Sequence, residues 1–329
     1  MTIGLSVLAA ALICTALIIV LRPLLQRYAL ARPNARSSHV LPTPQGAGIA
    51  VIATALAITS IAAGIAGFAI PAALFAAAIF LALVGFVDDI KTIPVLPRLL
   101  LQASAVGAVL IAAPSDLQIV PGCPLVLERA VLLLAGLWFV NLVNFMDGLD
   151  LMTVAEVVPV TAALILLWWL GEFPLPSACV AAALCGAMLG FAPFNRPIAR
   201  VFLGDVGSLS IGLLLGWCLL QLAWHQQFVA ALILPLYYLA DATITLLRRI
   251  AKREPFWAAH RSHFYQRATD KGFAVIEVVG HVFVLNIVLG AIAVICVRAG
   301  SVRLQLLLLA VAALLVAAVL LRFSRGKKI

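Results

Sequence analysis

Long uninterrupted runs of apolar residues constrain this chain more than any other feature of its sequence. Hydrophobic residues make up 65% of the 329 positions and charged residues only 11%, whereas an ordinary soluble domain is about 25% charged. The composition therefore excludes a soluble globular protein, a disordered chain and a secreted disulfide scaffold. Because the runs are continuous and do not alternate with a period of two, they also exclude a transmembrane barrel. The sequence predicts an all-α, polytopic integral membrane protein.

Eleven of the apolar runs approach the roughly 20 residues that a membrane-spanning helix needs. They cover residues 3–21, 46–66, 70–87, 98–113, 130–145, 154–170, 177–193, 207–224, 228–247, 275–297 and 303–321. The predicted external connections between these runs are short, and the longest of them covers residues 114–129. We therefore expect one transmembrane domain over residues 1–329, without a separate soluble domain.

The basic residues indicate how the chain is oriented in the membrane. Nineteen of the 22 lysines and arginines fall on one side of the predicted spans, and only Arg129, Arg298 and Arg303 fall on the other. Because cytoplasmic loops are enriched in Lys and Arg, we expect the N-terminus outside and the C-terminus in the cytoplasm. The net charge of +9 then reflects orientation in a lipid bilayer, so we expect no nucleic-acid partner.

Paired carboxylates close the third predicted span. Asp88 and Asp89 are adjacent at the end of an apolar helix, where they repel each other and oppose the negative end of the helix dipole. A cation relieves both effects, and carboxylate oxygens with open positions suit Mg²⁺. The alternative is a solvated helix end.

Two further acidic motifs lie at predicted cytoplasmic helix ends. Asn144 and Asp147 are three residues apart after the fifth span, so they can share a helix face; the alternative is a plain Asp-Gly turn. Asp205 opens the eighth span between two glycines, where it is a candidate metal ligand or an ordinary N-cap. We expect the backbone N–H groups of Gly207 and Ser208 to be available to a phosphate.

The most basic loop lies between the ninth and tenth spans and contains His260, Arg261 and His263. Arg and His side chains can recognise a diphosphate, while the alternative is a basic surface attracted to anionic lipid. His39, near the first cytoplasmic loop, has the same two interpretations. Asp241 and Glu156 lie within or near spans. Because the acidic and basic motifs converge on one membrane face, we predict a Mg²⁺-dependent site for a phosphorylated substrate that is partly in lipid and partly in water.

Four ordered motifs resemble those of the polyprenyl-phosphate N-acetylhexosamine-1-phosphate transferases, glycosyltransferase family 4, which includes phospho-N-acetylmuramoyl-pentapeptide transferase. They are Val87-Asp88-Asp89-Ile90, Asn144-Phe-Met-Asp147-Gly148, Phe202-Leu-Gly204-Asp205-Val-Gly207-Ser208 and His260-Arg261-Ser-His263-Phe-Tyr-Gln266-Arg267. The resemblance implies an enzyme that transfers a sugar-1-phosphate from a UDP-sugar to undecaprenyl phosphate and releases UMP. It also implies a multi-pass protein of the bacterial inner membrane, with one catalytic domain whose active site faces the cytoplasm.

The resemblance also implies roles for individual residues. Asp88 becomes the base or the orienter of the lipid phosphate, and Asp89 its neighbour near the metal and the nucleotide. Asp205 becomes the best-matched Mg²⁺ ligand, with Mn²⁺ as a substitute, and Asp147 becomes a second functional carboxylate and metal ligand. The residues implied to bind substrate are His39, Asn144, Asp241, His260, Arg261 and His263. A homodimer is left open as a further partner.

Departures from the family pattern point to one branch of it. A third acid is missing after the aspartate pair, Gln45 stands where many members have Arg, and the run of three histidines of the muramoyl-pentapeptide enzymes is absent. The missing histidine run, together with an eleventh predicted span and a predicted cytoplasmic tail, favours the O-antigen-type branch, which starts lipopolysaccharide synthesis. The His-Arg-Ser-His string resembles the subgroup that acts on UDP-GlcNAc or 6-deoxy relatives. A transporter or channel is the main alternative, but the clustering of acids at one face argues against it. This sequence does not contain the dense aspartate motif that a CDP-alcohol phosphotransferase requires. The four intact motifs argue against a non-catalytic scaffold.

Overall fold

The computed structural model describes residues 3–31, 42–255 and 260–327, which form a bundle of α-helices. The helices in these ranges are α1 (Ile3–Tyr28), α2 (Gly48–Ala66), α3 (Ala72–Ile90), α4 (Val95–Ile111), α5 (Leu125–Met146), α6 (Met152–Trp169), α7 (Leu175–Phe191), α8 (Asp205–Trp224), α9 (Phe228–Ile233), α10 (Leu236–Ala251), α11 (Phe264–Asp270), α12 (Val275–Arg298) and α13 (Val302–Arg325). Two short strands, β1 (Leu30–Ala31) and β2 (Thr43–Pro44), pair antiparallel beside α1. The prediction of an all-α polytopic membrane protein is confirmed.

Nine helices within the described ranges are long and apolar enough to cross a membrane, whereas the sequence predicted eleven spans. The other two predicted spans correspond to α4, which has 17 residues, and to the α9–α10 pair. The break between α9 and α10 falls at Leu234 and Pro235 because proline lacks the N–H that a continuous helix requires. The number of crossings and the orientation of the termini stay predictions.

The start of α5 lies five residues before the predicted span 130–145, because two charged side chains in its first turn find partners in the preceding loop. The Glu128 carboxylate accepts hydrogen bonds from the backbone N–H groups of Ile119 and Val120, at 2.9 and 3.1 Å. Arg129 donates to the carbonyl oxygen of Pro114 at 2.7 Å. Because both charged side chains are hydrogen-bonded, they do not prevent the helix from beginning at Leu125.

Small residues let the central helix α7 approach its neighbours closely. A Cβ at Gly186 would overlap the carbonyl oxygen of Val7, and one at Gly190 would overlap that of Ala11. Such close backbone contacts are typical of helix pairs in membranes, where dispersion and not water exclusion drives association. The outer surfaces of α1 and α13 expose large apolar side chains, as a lipid-facing surface requires.

Two loops lie side by side at one end of the bundle and position the start of α8. The N–H of Phe202 donates to the carbonyl of Pro44 at 2.8 Å, and the N–H of Gly48 donates to the carbonyl of Leu203 at 2.8 Å. Gly48 and Gly207 then pack backbone to backbone, where a Cβ on either would overlap the other. Backbone contacts alone therefore hold the N-terminus of α8 against α2.

Candidate active site

Asp89 caps α8 from the neighbouring helix α3. Its Oδ1 accepts the backbone N–H of Asp205 at 2.9 Å, and its Oδ2 accepts that of Val206 at 3.2 Å. The Gln45 amide also donates to Asp89 Oδ1, at 3.0 Å. The N-cap position of α8 is Gly204, so the interpretation of Asp205 as an ordinary N-cap is wrong. The carboxylate that satisfies the helix end comes from Asp89.

The remaining amide groups of this helix turn are also occupied. The backbone N–H groups of Gly207 and Ser208 both donate to the carbonyl of Gly204, at 3.0 and 3.1 Å. The expectation that they are available to a phosphate is therefore wrong for this arrangement. The reason is that Gly204 is the N-cap residue of α8, and an N-cap carbonyl accepts the first hydrogen bonds of its helix.

Asn144 connects α5 to Asp205. Its Nδ2 donates to Asp205 Oδ1 at 2.7 Å and also lies 2.9 Å from Ser208 Oγ. Gly85 packs α3 so tightly against the first turn of α8 that a Cβ there would overlap the Asp205 carbonyl. As a result, Asp205 lies within electrostatic range of both Asp88 and Asp89.

Asp88 is buried, and both of its oxygens are engaged. Arg98 Nη1, from the first turn of α4, forms an ion pair with Oδ2 at 2.8 Å. The backbone N–H of Ile93 donates to Oδ1 at 2.5 Å. Arg98 therefore neutralises one carboxylate of the cluster and fixes its orientation.

Asp147 ends α5 and faces the first turn of α6, where the Thr153 hydroxyl donates to its Oδ1. Withdrawal from water raises the pKa of Asp147 to about 7, the Thr153 hydrogen bond lowers it, and the charges of Asp89 and Asp150 raise it further. A carboxylate in such surroundings binds a cation readily, because a positive charge offsets both the desolvation and the repulsion.

The loop between α5 and α6 is fastened to the segment that precedes α8. Asn195 Oδ1 accepts the backbone N–H of Leu151 at 2.7 Å, and Asp150 Oδ2 accepts that of Ala199 at 3.0 Å. Leu151 has a positive φ of 63°, which is uncommon for a branched side chain. These contacts connect the loop that follows Asp147 to the segment that leads into α8.

Asp241, on α10, is fully buried and organises the basic loop. Its carboxylate accepts the backbone N–H groups of Phe264 and Tyr265 at 3.0 and 3.1 Å, which caps α11. His263 Nδ1 lies 3.2 Å from Oδ1, and the Tyr237 hydroxyl donates to Oδ2 at 3.2 Å. The structure thus places Asp241 where it positions His263 and the start of α11.

His260 and Arg261 are half-buried in this loop. The rings of His260 and His263 are 5.0 Å apart, and the Ser262 hydroxyl lies 2.8 Å from His260 Nδ1. Burial, followed by the nearby His263 and Arg249, lowers the pKa of His260 to about 4, so its ring is neutral at pH 7. Arg261 forms an ion pair with Asp270 at 3.2 Å.

Tyr265 joins the basic loop to the carboxylate cluster. Its hydroxyl donates to the Phe145 carbonyl at 2.9 Å and lies so close to Gly148 that a Cβ there would overlap it. The Phe145 and His263 rings are 6.5 Å apart. The loop between α10 and α11 therefore contacts the end of α5 that carries Asn144 and Asp147.

The structure brings most of the predicted residues to one end of the bundle. Asp88, Asp89, Asn144 and Asp205 form one connected group, Asp147 adjoins it, and the His260–His263 loop reaches it through Tyr265. His39 lies outside the described residues.

Four neighbours of the predicted site residues were not among the candidates: Gln45, Arg98, Thr153 and Tyr265. Gln45 was visible as a departure from a family motif, and Arg98 had been counted only for orientation. For Thr153, its position six residues after Asp147 gives no signal by itself.

A metal at this site needs ligands beyond the protein. Among the residues that the structure describes, no group of three His, Cys, Asp or Glu side chains is arranged to hold an ion. Mg²⁺ typically takes one or two carboxylates and completes its shell with water and substrate phosphates. Asp205 and Asp147 stay the predicted ligands of a Mg²⁺ ion whose shell water and a phosphorylated substrate would complete.

Comparisons with known proteins show the family of this chain. The sequence model of glycosyl transferase family 4 matches residues 71–223. The decaprenyl-phosphate N-acetylglucosaminephosphotransferase of Mycolicibacterium smegmatis is 30% identical over 284 residues, which are 74% of this chain and 69% of that protein. Its Mycobacterium leprae counterpart is 29% identical over 283 residues, 74% of this chain and 71% of the relative.

A second group of relatives is similar over a shorter stretch. The phospho-N-acetylmuramoyl-pentapeptide-transferase of Streptococcus pneumoniae is 30% identical over 180 residues, which are 50% of this chain and 54% of that protein. The family match begins one residue before α3 and ends one residue before the end of α8, so it includes Asp88, Asp89, Asp147 and Asp205. This chain belongs to glycosyl transferase family 4, the polyprenyl-phosphate hexosamine-1-phosphate transferases.

Proposed function

We propose that this protein transfers an N-acetylhexosamine-1-phosphate from a UDP-sugar to undecaprenyl phosphate, on the cytoplasmic face of the bacterial inner membrane. The observation that carries the proposal is the meeting of three aspartate-bearing helix ends with a basic loop at one end of an apolar bundle. Nineteen of the 22 basic residues belong to the side on which this end is predicted, which supports the cytoplasmic orientation.

An apolar cavity supports a lipid substrate. It has a volume of about 190 Å³ and lies between α4, α5, α8 and α10, with Val140 and Gly212 among its lining residues. Each of these two residues is seven positions along its helix from Asp147 or Asp205, which corresponds to about 10 Å. The other lining residues of α5 and α8 lie farther from these carboxylates, towards the opposite end of the bundle. A polyprenyl chain that entered the cavity at Val140 and Gly212 would keep its phosphate on the side of the carboxylates.

The reaction that we propose is a phosphoryl transfer. An oxygen of the polyprenyl phosphate attacks the sugar-side phosphorus of the UDP-sugar, and the bond from that phosphorus to the bridging oxygen breaks. UMP leaves with that oxygen, and a polyprenyl-diphospho-sugar is formed. Since a phosphate monoester is already largely ionised at pH 7, positioning and charge neutralisation carry most of the catalysis.

The residues divide this work between the two substrates. Asp88, fixed by Arg98, orients the attacking lipid phosphate. Asp205 and Asp147 would hold Mg²⁺, which when bound neutralises the charge on the diphosphate, with Mn²⁺ as a substitute. Asn144 orients Asp205 on the nucleotide side. The neutral His260 and its loop provide hydrogen-bond donors for the diphosphate.

The sugar and the pathway are the finer part of the proposal. The His-Arg-Ser-His string supports UDP-GlcNAc or a 6-deoxy relative as donor and a role in starting O-antigen or lipopolysaccharide synthesis. The mycobacterial relatives are named for N-acetylglucosamine phosphate transfer, which is compatible with this donor class.

An assay of the purified protein tests the proposal. Undecaprenyl phosphate, Mg²⁺ and a panel of N-acetylated UDP-hexosamines are supplied, and UMP release is followed. We expect one donor to give UMP, and Asp205→Asn to lower turnover about 100-fold, because a charge ligand to the metal is lost. Asp116→Asn, which removes an exposed carboxylate between α4 and α5, is the matched control and should leave turnover unchanged. Absence of UMP release with every donor would refute the proposal.

A further inference from the structure

A second cavity lies between the last turns of α1 and the end of α7. It has a volume of about 230 Å³, and its lining residues are Ile19, Arg22, Pro23, Gln26 and Phe194. The first four have the spacing of one face of α1, and Phe194, in the turn that follows α7, forms the remaining wall. None of these five residues belongs to the site proposed above.

The packing of α1 on α7 sets the place of this cavity. The Thr15 hydroxyl donates to the carbonyl of Gly190 at 3.2 Å, where the two helices are in close contact. Ile19 follows Thr15 by four residues, and Phe194 follows Gly190 by four residues. The cavity therefore opens about one helix turn beyond this contact.

Arg22 lies at the depth of the lipid headgroups. Residues 3–21 of α1 carry no charge. They extend about 28 Å, which is close to the roughly 30 Å thickness of the hydrocarbon core. On the neighbouring outer surface of α1, Val20 is 68% and Leu24 is 54% exposed, as contact with lipid requires. The cavity is thus at the boundary between acyl chains and headgroups, on the predicted cytoplasmic side.

The cavity offers both a cationic donor and hydrogen-bond acceptors. Within the described ranges Arg22 forms no ion pair, and its Nε is buried without a hydrogen-bond partner. Pro23 has no N–H, so the carbonyl of Ile19 loses its usual helical donor. The Gln26 amide adds an acceptor and a donor. A phosphate oxygen satisfies the guanidinium, and a hydroxyl group satisfies the carbonyl.

The charge around the cavity favours an anionic ligand over a zwitterionic one. None of the five described residues that line it is acidic. Arg27 directly follows Gln26, and Arg196 lies two residues after Phe194. An ammonium group at this place meets like charge, whereas a phosphodiester meets opposite charge. The residues and their depth therefore fit a phosphodiester that carries hydroxyl groups on one side and acyl chains on the other.

We propose that this cavity binds the headgroup of an anionic glycerophospholipid of the phosphatidylglycerol class. The phosphodiester pairs with Arg22, the headgroup hydroxyls donate to the Ile19 carbonyl and to Gln26, and the acyl chains lie along the apolar outer surface of α1. The bound lipid joins α1 to the segment between α7 and α8. It stabilises the fold and takes no part in phosphoryl transfer.

The melting temperature of delipidated protein in a nonionic detergent tests the proposal. We expect phosphatidylglycerol at about 100 times its Kd to raise the melting temperature by about 5 °C or more, because it binds only the folded state. Phosphatidylcholine, phosphatidylethanolamine and inorganic phosphate should leave it nearly unchanged. An equal rise with inorganic phosphate would indicate a site for a free anion, and an equal rise with a zwitterionic lipid would indicate no selection by charge. Either result would overturn the proposal.

Substitutions within and beside the cavity locate the lipid. Arg22→Gln removes the cation, and Gln26→Glu adds a carboxylate next to it, so each should abolish the rise with phosphatidylglycerol. Arg22→Lys keeps the charge and should retain part of it. Arg27→Gln is the matched control, because Arg27 packs over the Tyr28 ring outside the cavity and its loss should leave the full rise.

Two outcomes with these variants would contradict the site. A full rise in Arg22→Gln or in Gln26→Glu would mean that the lipid does not bind in this cavity. An equal loss in Arg27→Gln and Arg22→Gln would mean diffuse attraction to a basic surface. Since the two cavity variants change different side chains, either one tests the proposal if the other does not fold.

Discussion

Replacing Gly85 by Ala tests how strictly the start of α8 must be positioned. A Cβ at this position would overlap the carbonyl oxygen of Asp205 and lie 2.5 Å from the backbone N of Val206. Both are main-chain atoms, which cannot rotate away as a side chain can. Since van der Waals contact requires about 3.5 Å, α3 and α8 must separate by on the order of 1 Å.

This displacement has a predictable kinetic consequence. Asp205 moves with its helix, while Asn144 and Asp147 stay on α5, so the 2.7 Å contact between Asn144 and Asp205 lengthens. A misplacement of about 1 Å at a reacting centre typically costs about 100-fold in rate, or about 2.7 kcal/mol of transition-state stabilisation. We therefore expect kcat of Gly85→Ala to fall about 100-fold, in the UMP-release assay, with membrane insertion retained.

Gly64→Ala is the matched control, because Gly64 is also in a helix and a Cβ there would meet nothing within 4 Å. Both substitutions favour the helix to the same extent, so helix propensity cannot explain a difference between them. If folded Gly85→Ala turned over as fast as Gly64→Ala, the close packing of α3 on α8 would not control the site.

Three further predictions concern individual contacts. Arg98→Gln removes the ion pair to Asp88, so we expect a loss of about 1.5 kcal/mol in unfolding free energy and a lower kcat; an unchanged melting curve would contradict this. Because the pKa of His260 is lowered to about 4, the unfolded chain binds a proton more readily than the folded protein, so the stability of the fold falls as pH drops from about 6.5 towards 4. His260→Gln should therefore make the melting temperature depend less on pH over this range. The same pH dependence in wild type and variant would contradict this. Tyr265→Phe removes the donor to the Phe145 carbonyl, so we expect about 1 kcal/mol less stability and a higher KM for the UDP-sugar. An unchanged KM would mean that this contact does not affect substrate binding.

Local patterns in the sequence were sufficient for the class of fold, and they named most of the polar residues that the structure brings to one end of the bundle. Apolar runs of near-constant length predict spans because the bilayer thickness sets helix length. Asp88, Asp147 and Asp205 stood out because charge is rare in such a chain. The break at Pro235 comes from a proline inside an apolar run, which a count of apolar residues does not register. The early start of α5 depends on partners in the preceding loop, which periodicity does not reveal.

Hydrogen bonds between residues far apart in the chain could not be predicted from the sequence. Asp89 caps a helix that begins 116 residues later, and Asp241 caps one more than 20 residues away. The resemblance to the family had implied that Asp89 lies near the metal and the nucleotide and that Asp241 binds substrate. Only the packing of α3 on α8 and of α10 on α11 reveals that their oxygens are occupied by backbone N–H groups.

The position of isotopic label after one turnover tests the central claim most directly. A UDP-N-acetylhexosamine labelled with ³²P in its sugar-side phosphate is incubated with the purified protein, undecaprenyl phosphate and Mg²⁺. The account predicts that the label moves to the lipid product and that unlabelled UMP is released. Label that remains in a released UDP would mean transfer of the sugar without its phosphate, and would contradict the account.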